Sequence, residues 1–128
     1  MRAIDTNILV RLITRDHPRQ HKAALQAINT GAWVSLVTLV ETVWVLKSSF
    51  GLSRDRLADT IGVLLKHDAL LLQDAEVVES ALTLYSGSPR IEFSDCVILE
   101  QARRAGHGPL MTFDRDLGRQ DGAQRLEA

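Results

Sequence analysis

Short apolar runs alternate with segments of helical periodicity along the whole chain of 128 residues. The runs are too short for helices and predict strands, whereas the longer periodic segments predict helices. The five predicted strands are 1–4, 33–35, 69–72, 109–112 and 125–127, and the first is expected to be buried. The predicted helices are 7–13, 18–29, 36–50, 53–66, 74–85 and 93–105, with a short helical turn at 114–117. Asp74 is predicted to cap the helix that reaches Tyr85. Strands that alternate with helices predict an α/β domain with a parallel sheet covered on both faces.

Composition predicts one globular domain over residues 1–128, with 45% hydrophobic and 24% charged residues. No apolar run is long enough to span a membrane, and Asp5 lies where a secretory signal would have its apolar core. We therefore expect a cytoplasmic protein with no membrane partner. Cys96 is the only cysteine, which excludes an internal disulfide and a cysteine-based zinc site. The net charge of -1 excludes nucleic-acid binding driven mainly by bulk electrostatics.

Acidic residues follow two of the predicted strands. Asp5 comes directly after the first strand, and Asp114 and Asp116 come just after the fourth. In open parallel sheets, ligands bind beyond the carboxyl ends of the strands, where the strand order reverses. Asp5 taken alone is equally consistent with a simple helix N-cap.

Glu41 is unusual because it interrupts the predicted helix 36–50, which is apolar almost all round. Such a helix is expected to be buried on more than one side, so Glu41 is expected to be at least partly buried. Burial of an unpaired charge is strongly unfavourable. The carboxylate therefore requires a cation, which is either a metal ion or a distant arginine in a buried salt bridge.

Asp95 lies in the first turn of the predicted helix 93–105, on the face that continues into Ile98 and Leu99. The helix dipole favours the anionic form of an acid at this position, and a plain N-terminal charge is the alternative interpretation. Oxygen-rich groups of such acids suit Mg²⁺ or Mn²⁺. These ions activate water and neutralise phosphate charge in phosphodiester hydrolysis.

Four segments of the chain resemble the motifs of the PIN-domain family. They are Ile4-Asp5-Thr6-Asn7, the Ser35-x-x-Thr38-x-x-Glu41 approach, Phe93-Ser94-Asp95-Cys96-Val97-Ile98, and Leu110-Met111-Thr112-Phe113-Asp114-Arg115-Asp116-Leu117. Their order, their spacing and the total length match, so the resemblance covers essentially the whole chain. The similarity is strongest to the toxin ribonucleases of VapBC-type toxin–antitoxin pairs.

The resemblance implies a three-layer α/β/α fold with a five-stranded parallel sheet ordered 3-2-1-4-5, in which strands 1 and 4 are neighbours. It implies a type II toxin, an endoribonuclease that cuts a tRNA or rRNA loop with Mg²⁺ or Mn²⁺ by metal-activated water and leaves a 3′-hydroxyl and a 5′-phosphate. It also implies a homodimer, held inactive by a VapB-type antitoxin whose tail fills a groove.

Site residues follow from the same resemblance. The predicted catalytic and metal-binding acids are Asp5, Glu41, Asp95 and Asp114, with Asp116 as a further metal ligand. The predicted supporting residues, which orient carboxylates by hydrogen bonds, are Asn7, Ser94 and Thr112. Asp114 and Asp116 both match acids of the family, and we favour Asp114 as the principal one.

Several other functions remain to be weighed. A phosphate-accepting receiver domain requires an acid pair near the first strand, where only Asp5 is found. A haloacid-dehalogenase-type phosphatase requires Asp-x-Asp there, and Asn7 occupies the second place. A PIN-fold binding module with weak or no catalysis stays open. A nuclease acting on DNA also stays open, because an acid cluster does not select the sugar.

Overall fold

The computed structural model describes all residues from 1 to 128 and contains six α-helices and five short strands. All strand pairings are parallel, which confirms the predicted α/β class. The chain divides into two compact units, residues 1–75 and 76–128. None of the helices combines the length and the apolar character that a membrane crossing requires.

The first unit contains three strands and four helices. In chain order they are β1 (Arg2–Ala3), α1 (Thr6–Thr14), α2 (Pro18–Ala27), β2 (Ala32–Val34), α3 (Leu36–Ser48), α4 (Arg54–Lys66) and β3 (Leu70–Leu72). The helix α1 packs against α2 and α3, and α4 packs against α3 and β3. The core between them is formed by side chains that are almost fully buried, among them Leu9, Leu39, Leu46, Leu57 and Ile61.

Side-chain caps determine where the helices of this unit begin. Ser35 precedes α3 and Ser53 precedes α4, and each hydroxyl accepts a hydrogen bond from the amide three residues later. His17 caps α2 in the same way, with its Nδ1 accepting from the amide of Gln20 at 3.2 Å. Each cap satisfies an amide that has no partner inside the helix. The Ser53 cap confirms the predicted start of α4.

The first strand differs from its prediction. Arg2 and Ala3 are exposed, and only Ile4, just past the strand, is buried. The run Met1–Ile4 looks apolar, but Met1 is 75% exposed and Arg2 carries a charge that must stay hydrated. The predicted buried strand is therefore wrong in its burial, although its position is correct.

The second unit begins within α5 (Ala75–Gly87) and continues through α6 (Phe93–Ala105), β4 (Leu110–Thr112), a 3₁₀ turn (Leu117–Arg119) and β5 (Ala123–Arg125). The rings of Tyr85 and Phe93 meet edge to face with centroids 5.7 Å apart, which joins the end of α5 to the start of α6. Arg103 joins α6 to the loop before β5, because its guanidinium donates to the carbonyl of Asp121 at 2.6 Å.

The strands form two parallel sheets, of three and two strands, where the sequence predicts one sheet of five. Within each sheet the neighbours are those of the predicted order, 3-2-1 and 4-5. The strand β1 is only two residues long, so it offers few backbone groups for pairing beyond its contact with β2. The parallel neighbours within each sheet are thus confirmed, and the adjacency of β1 and β4 stays a prediction.

Candidate active site

Asp5 lies between β1 and α1 and is exposed. Its Oδ1 accepts a hydrogen bond from the amide of Ile8 at 3.1 Å, so the side chain is the N-cap of α1. Its Oδ2 makes no hydrogen bond and no ion pair. A carboxylate accepts through both oxygens. The cap therefore leaves one oxygen of Asp5 available to a cation.

Glu41 lies on the exposed face of α3, not in its buried stripe. Val37 and Trp44, four residues before and three after, are 76% and 66% exposed and share this face. The expected burial of Glu41 is therefore wrong. The inner face of α3 is formed by Leu39, Thr42, Val43 and Leu46. The apolar residues on the outer face made the helix look buried all round in the sequence. Glu41 forms no ion pair, so the alternative of a buried salt bridge to an arginine is also not present.

Asp95 is half-buried in the first turn of α6, where the sequence places it. Burial raises the pKa of its carboxyl above the ordinary value of 3.8, and the negative charges of Asp114 and Glu92 raise it further. The helix dipole was expected to keep this acid readily ionised. Desolvation and the two neighbouring carboxylates outweigh the dipole, because all three disfavour the anion.

Asp114 is exposed between β4 and the 3₁₀ turn, and its backbone contacts fix its position. Its Oδ2 accepts from the amide of Leu117 at 2.7 Å, and its own amide donates to Oγ1 of Thr112 at 3.0 Å. Thr112 therefore orients the backbone of Asp114, whereas a direct hydrogen bond from Thr112 to a carboxylate was expected. Asp114 is the acid of this segment whose charge reaches Asp95.

Asp116 is half-buried at the residue before the 3₁₀ turn, and its carboxylate forms no cap to that turn. It lines an open hollow of the second unit together with Arg90 and Arg119. Its charge is not among the influences on the pKa of Asp95. Asp114 and Asp116, two residues apart, thus face different surroundings.

The remaining predicted supporting residues make no side-chain hydrogen bond. Asn7 is exposed in the first turn of α1, and Ser94 is exposed in the first turn of α6. Neither side chain is hydrogen-bonded to a carboxylate or to any other group. Both lie at helix starts, where backbone amides and the helix dipole favour anionic ligands.

Within neither unit do three or more Asp, Glu, His or Cys side chains come close enough together to hold a metal ion. The second unit brings together two of the predicted ligands, Asp95 and Asp114, whose charges repel each other. Mg²⁺ is commonly held by one or two carboxylates, with water and substrate phosphates completing its octahedron. A repelling pair of carboxylates with free oxygens fits that requirement.

Glu92 is a residue that sequence reasoning missed. It immediately precedes α6, and its charge is the third influence that raises the pKa of Asp95. The signal was present in the spacing, because Glu92 and Asp95 are three residues apart at a helix start and three-residue neighbours lie on one face.

The helices and parallel strands define an α/β domain. The family model for the PIN domain matches residues 3–123, and the chain belongs to the PIN-domain family. This match spans all four segments that carry the predicted acids. No curated protein matches the chain.

Proposed function

We propose that this protein is a metal-dependent endoribonuclease, the toxin of a type II toxin–antitoxin pair of the VapBC type. The observation that carries the proposal is the pair Asp95 and Asp114, two nearby carboxylates in a chain of the PIN-domain family, with the pKa of Asp95 raised by burial and by the charge of Asp114. A cation bound between nearby carboxylates stabilises their ionised forms. A metal-dependent nuclease binds such a cation and uses it to hydrolyse the phosphodiester bond.

In this proposal Asp5, Glu41, Asp95 and Asp114 hold Mg²⁺ or Mn²⁺, and Asp116 assists through a second ion or a water molecule. A bound ion of this kind lowers the pKa of water and neutralises the charge of a phosphodiester. The assignment is supported by the free Oδ2 of Asp5 and by the unpaired carboxylate of Glu41, because neither forms an ion pair with a cationic side chain. Asp114 is held in one orientation by the amide of Leu117.

The acids alone do not distinguish RNA from DNA, and a PIN-fold binding module without catalysis is the second candidate. A binding module has no need for neighbouring carboxylates whose charges repel each other, since this repulsion disfavours the ionised form without benefit to the fold. The raised pKa of Asp95 therefore favours catalysis over a purely structural role.

An antitoxin partner is supported by a groove in the first unit. This groove has a volume of about 390 Å³ and lies between α1, α2 and α4. Leu12, Leu25 and Val63 supply apolar lining, and Arg56 and Asp59 supply charges of both signs. A groove lined by apolar side chains and by charges of both signs is a surface that suits an amphipathic helix. We propose that the antitoxin's tail occupies it.

We also propose a homodimer. Large apolar side chains are exposed on the surface, among them Val37, Trp44, Met111 and Phe113, each more than 60% exposed. Val37 and Trp44 share one exposed face of α3, and exposed apolar side chains grouped on one face, unlike isolated ones, are characteristic of association surfaces. Sedimentation of the purified chain at several concentrations tests this, and a monomer at all of them would contradict it.

The decisive experiment expresses the wild type and Asp95→Asn in bacteria and maps new RNA 5′-phosphate ends. Discrete ends that appear only with the wild type are the expected result, and they identify the target at the same time. Both proteins are purified and melted to confirm that they are folded and free of antitoxin. If neither folded protein produces RNA ends that are absent from uninduced cells, the nuclease proposal is overturned in favour of a binding module. The same new ends from both proteins would exclude Asp95 from catalysis.

The same purified proteins decide between RNA and DNA. Single-stranded RNA and single-stranded DNA of the mapped target sequence are incubated with each protein in the presence of Mg²⁺. We expect cleavage of the RNA only. Equal cleavage of the DNA strand would show that the protein is a nuclease that does not distinguish ribose from deoxyribose.

A further inference from the structure

A second hollow, in the second unit, lies between the end of α5 and the 3₁₀ turn. It has a volume of about 480 Å³ and is open to solvent, and its lining includes Gly87, Arg90, Asp116, Arg119 and Gln120. Arg90 comes from the loop before α6 and Arg119 from the end of the 3₁₀ turn. Two guanidinium groups from separate segments thus border the hollow that contains Asp116.

Neither arginine side chain is paired with another group of the protein. Arg90 and Arg119 are exposed and form no ion pair and no side-chain hydrogen bond. By contrast, Arg103 and Arg104 of the same unit are each paired with a carboxylate. A guanidinium has five donors, arranged to match the oxygens of a phosphate. The donors of Arg90 and Arg119 are therefore available to a ligand.

The charge of the hollow favours an anion. Two cationic groups face one carboxylate, Asp116, so the lining is positive within a chain whose net charge is -1. A nucleic-acid strand carries repeated phosphates and therefore offers an anionic group to each arginine.

We infer that this hollow binds the phosphate backbone of the single-stranded RNA substrate through Arg90 and Arg119. The inference rests on the proposed function, because Asp116 is both a lining residue of the hollow and a proposed metal ligand. It explains how a chain with a net negative charge holds RNA: a local pair of arginines supplies the attraction that bulk charge does not. The arginines are positioning residues, since they contact the strand and not the cleaved bond.

The test measures binding without cleavage. A short fluorescein-labelled single-stranded RNA is titrated with protein in EDTA, and fluorescence anisotropy is followed over a range of KCl concentrations. The double variant Arg90→Gln/Arg119→Gln is compared with the wild type and with a control that removes two arginine charges outside the hollow, Arg104→Gln/Arg125→Gln. All proteins are first melted to confirm equal folding.

We expect the hollow variant to bind roughly tenfold more weakly than the control variant. Its plot of log K against log salt should be less steep by about 0.7 for each phosphate that is no longer neutralised. Asp116→Asn should have the opposite effect and bind more tightly than the wild type in EDTA, because a repelling carboxylate has been removed.

Equal affinity and equal salt slope in the hollow and control variants would overturn the inference. Cleavage of the same RNA by the wild type with Mg²⁺ is measured in parallel. If the wild type cleaves the RNA, equal binding by the two double variants contradicts only the role of the hollow, and the nuclease proposal stands. If the wild type neither binds nor cleaves the RNA, both proposals fall. If it binds only the DNA strand of the same sequence, the RNA ligand is rejected.

Discussion

Asp95 and Asp114 are close enough for the charge of one to oppose ionisation of the other. Burial contributes most to the raised pKa of Asp95, and the Asp114 carboxylate contributes next. The two acids come from different segments, the start of α6 and the turn after β4, and α6 packs against β4. The fold therefore maintains a repulsion that a bound cation would remove.

Replacement of Asp95 by Asn should abolish cleavage and raise stability at neutral pH. The folded state raises the pKa of Asp95, so the stability linked to this group is complete below pH 3.8 and is lost as the pH rises through the folded pKa. Without metal, the variant should exceed the wild type by about 0.5 kcal/mol at pH 7, a small effect because the pair is partly exposed. Urea melts at pH 7 and pH 3 measure it. A variant less stable than the wild type at pH 7 would contradict the repulsion.

Added Mg²⁺ should stabilise the wild type against heat. A ligand that binds only the folded state at ten times its Kd contributes about 1.4 kcal/mol. Asp114→Asn should lose most of this effect, since it removes one of the paired charges while the Asn side chain still accepts from the amide of Leu117. Melting curves with and without Mg²⁺ check this. An equal rise in Tm for the wild type and for Asp114→Asn would exclude Asp114 as a ligand.

Two substitutions of Asp5 should separate its structural role from its chemical one. Asn caps helices as well as Asp does, so Asp5→Asn should keep the hydrogen bond from Ile8 and the stability of α1 while cleavage is lost. Asp5→Ala should lose both, with a loss of stability of about 1 kcal/mol. Chemical denaturation and an RNA cleavage assay on both variants measure these effects. Full cleavage by Asp5→Asn would show that Asp5 serves only as a cap.

The neighbours Arg103 and Arg104 should differ sharply in their importance. Arg103 donates to the carbonyl of Asp121 and pairs with the buried Glu100 at 3.3 Å. Arg103→Ala should therefore cost about 2 kcal/mol, because it leaves a buried carboxylate unpaired. Arg104 pairs only with the exposed Glu76 at 3.6 Å, so Arg104→Ala should cost less than about 0.5 kcal/mol. Equilibrium unfolding compares the two variants directly, and similar losses would refute the assigned roles.

Local chemistry made much of the fold predictable from the sequence. Ser53 gave the start of α4, and its predicted end at Lys66 is also confirmed. Gly106, with a φ of 77°, ends α6 in the left-handed conformation that glycine favours. Asp74 is an exception, since it was predicted to cap α5 but has a φ of 50°. An N-cap residue has extended backbone geometry, which Asp74 does not have.

Burial was harder to predict than secondary structure. The apolar residues of α3 indicate burial all round, yet Val37 and Trp44 are exposed on either side of Glu41. Hydrophobicity along one helix does not reveal which neighbours exist to cover each face. The expectation that Asp95 is readily ionised was wrong for the same reason, because burial, the charge of Asp114 and the charge of Glu92 all raise its pKa through tertiary structure. The pairing of Arg90 and Arg119 at one hollow also depends on tertiary structure, since they are far apart in the sequence.

Two candidate metal ligands accept hydrogen bonds from backbone amides, Asp5 from Ile8 and Asp114 from Leu117. A cation that withdraws electron density from either carboxylate would weaken the corresponding hydrogen bond. The amide protons of Ile8 and Leu117 are thus built-in spectroscopic reporters. In a nuclear magnetic resonance titration with Mg²⁺, their chemical shifts would follow occupancy at each acid separately, without any need for RNA.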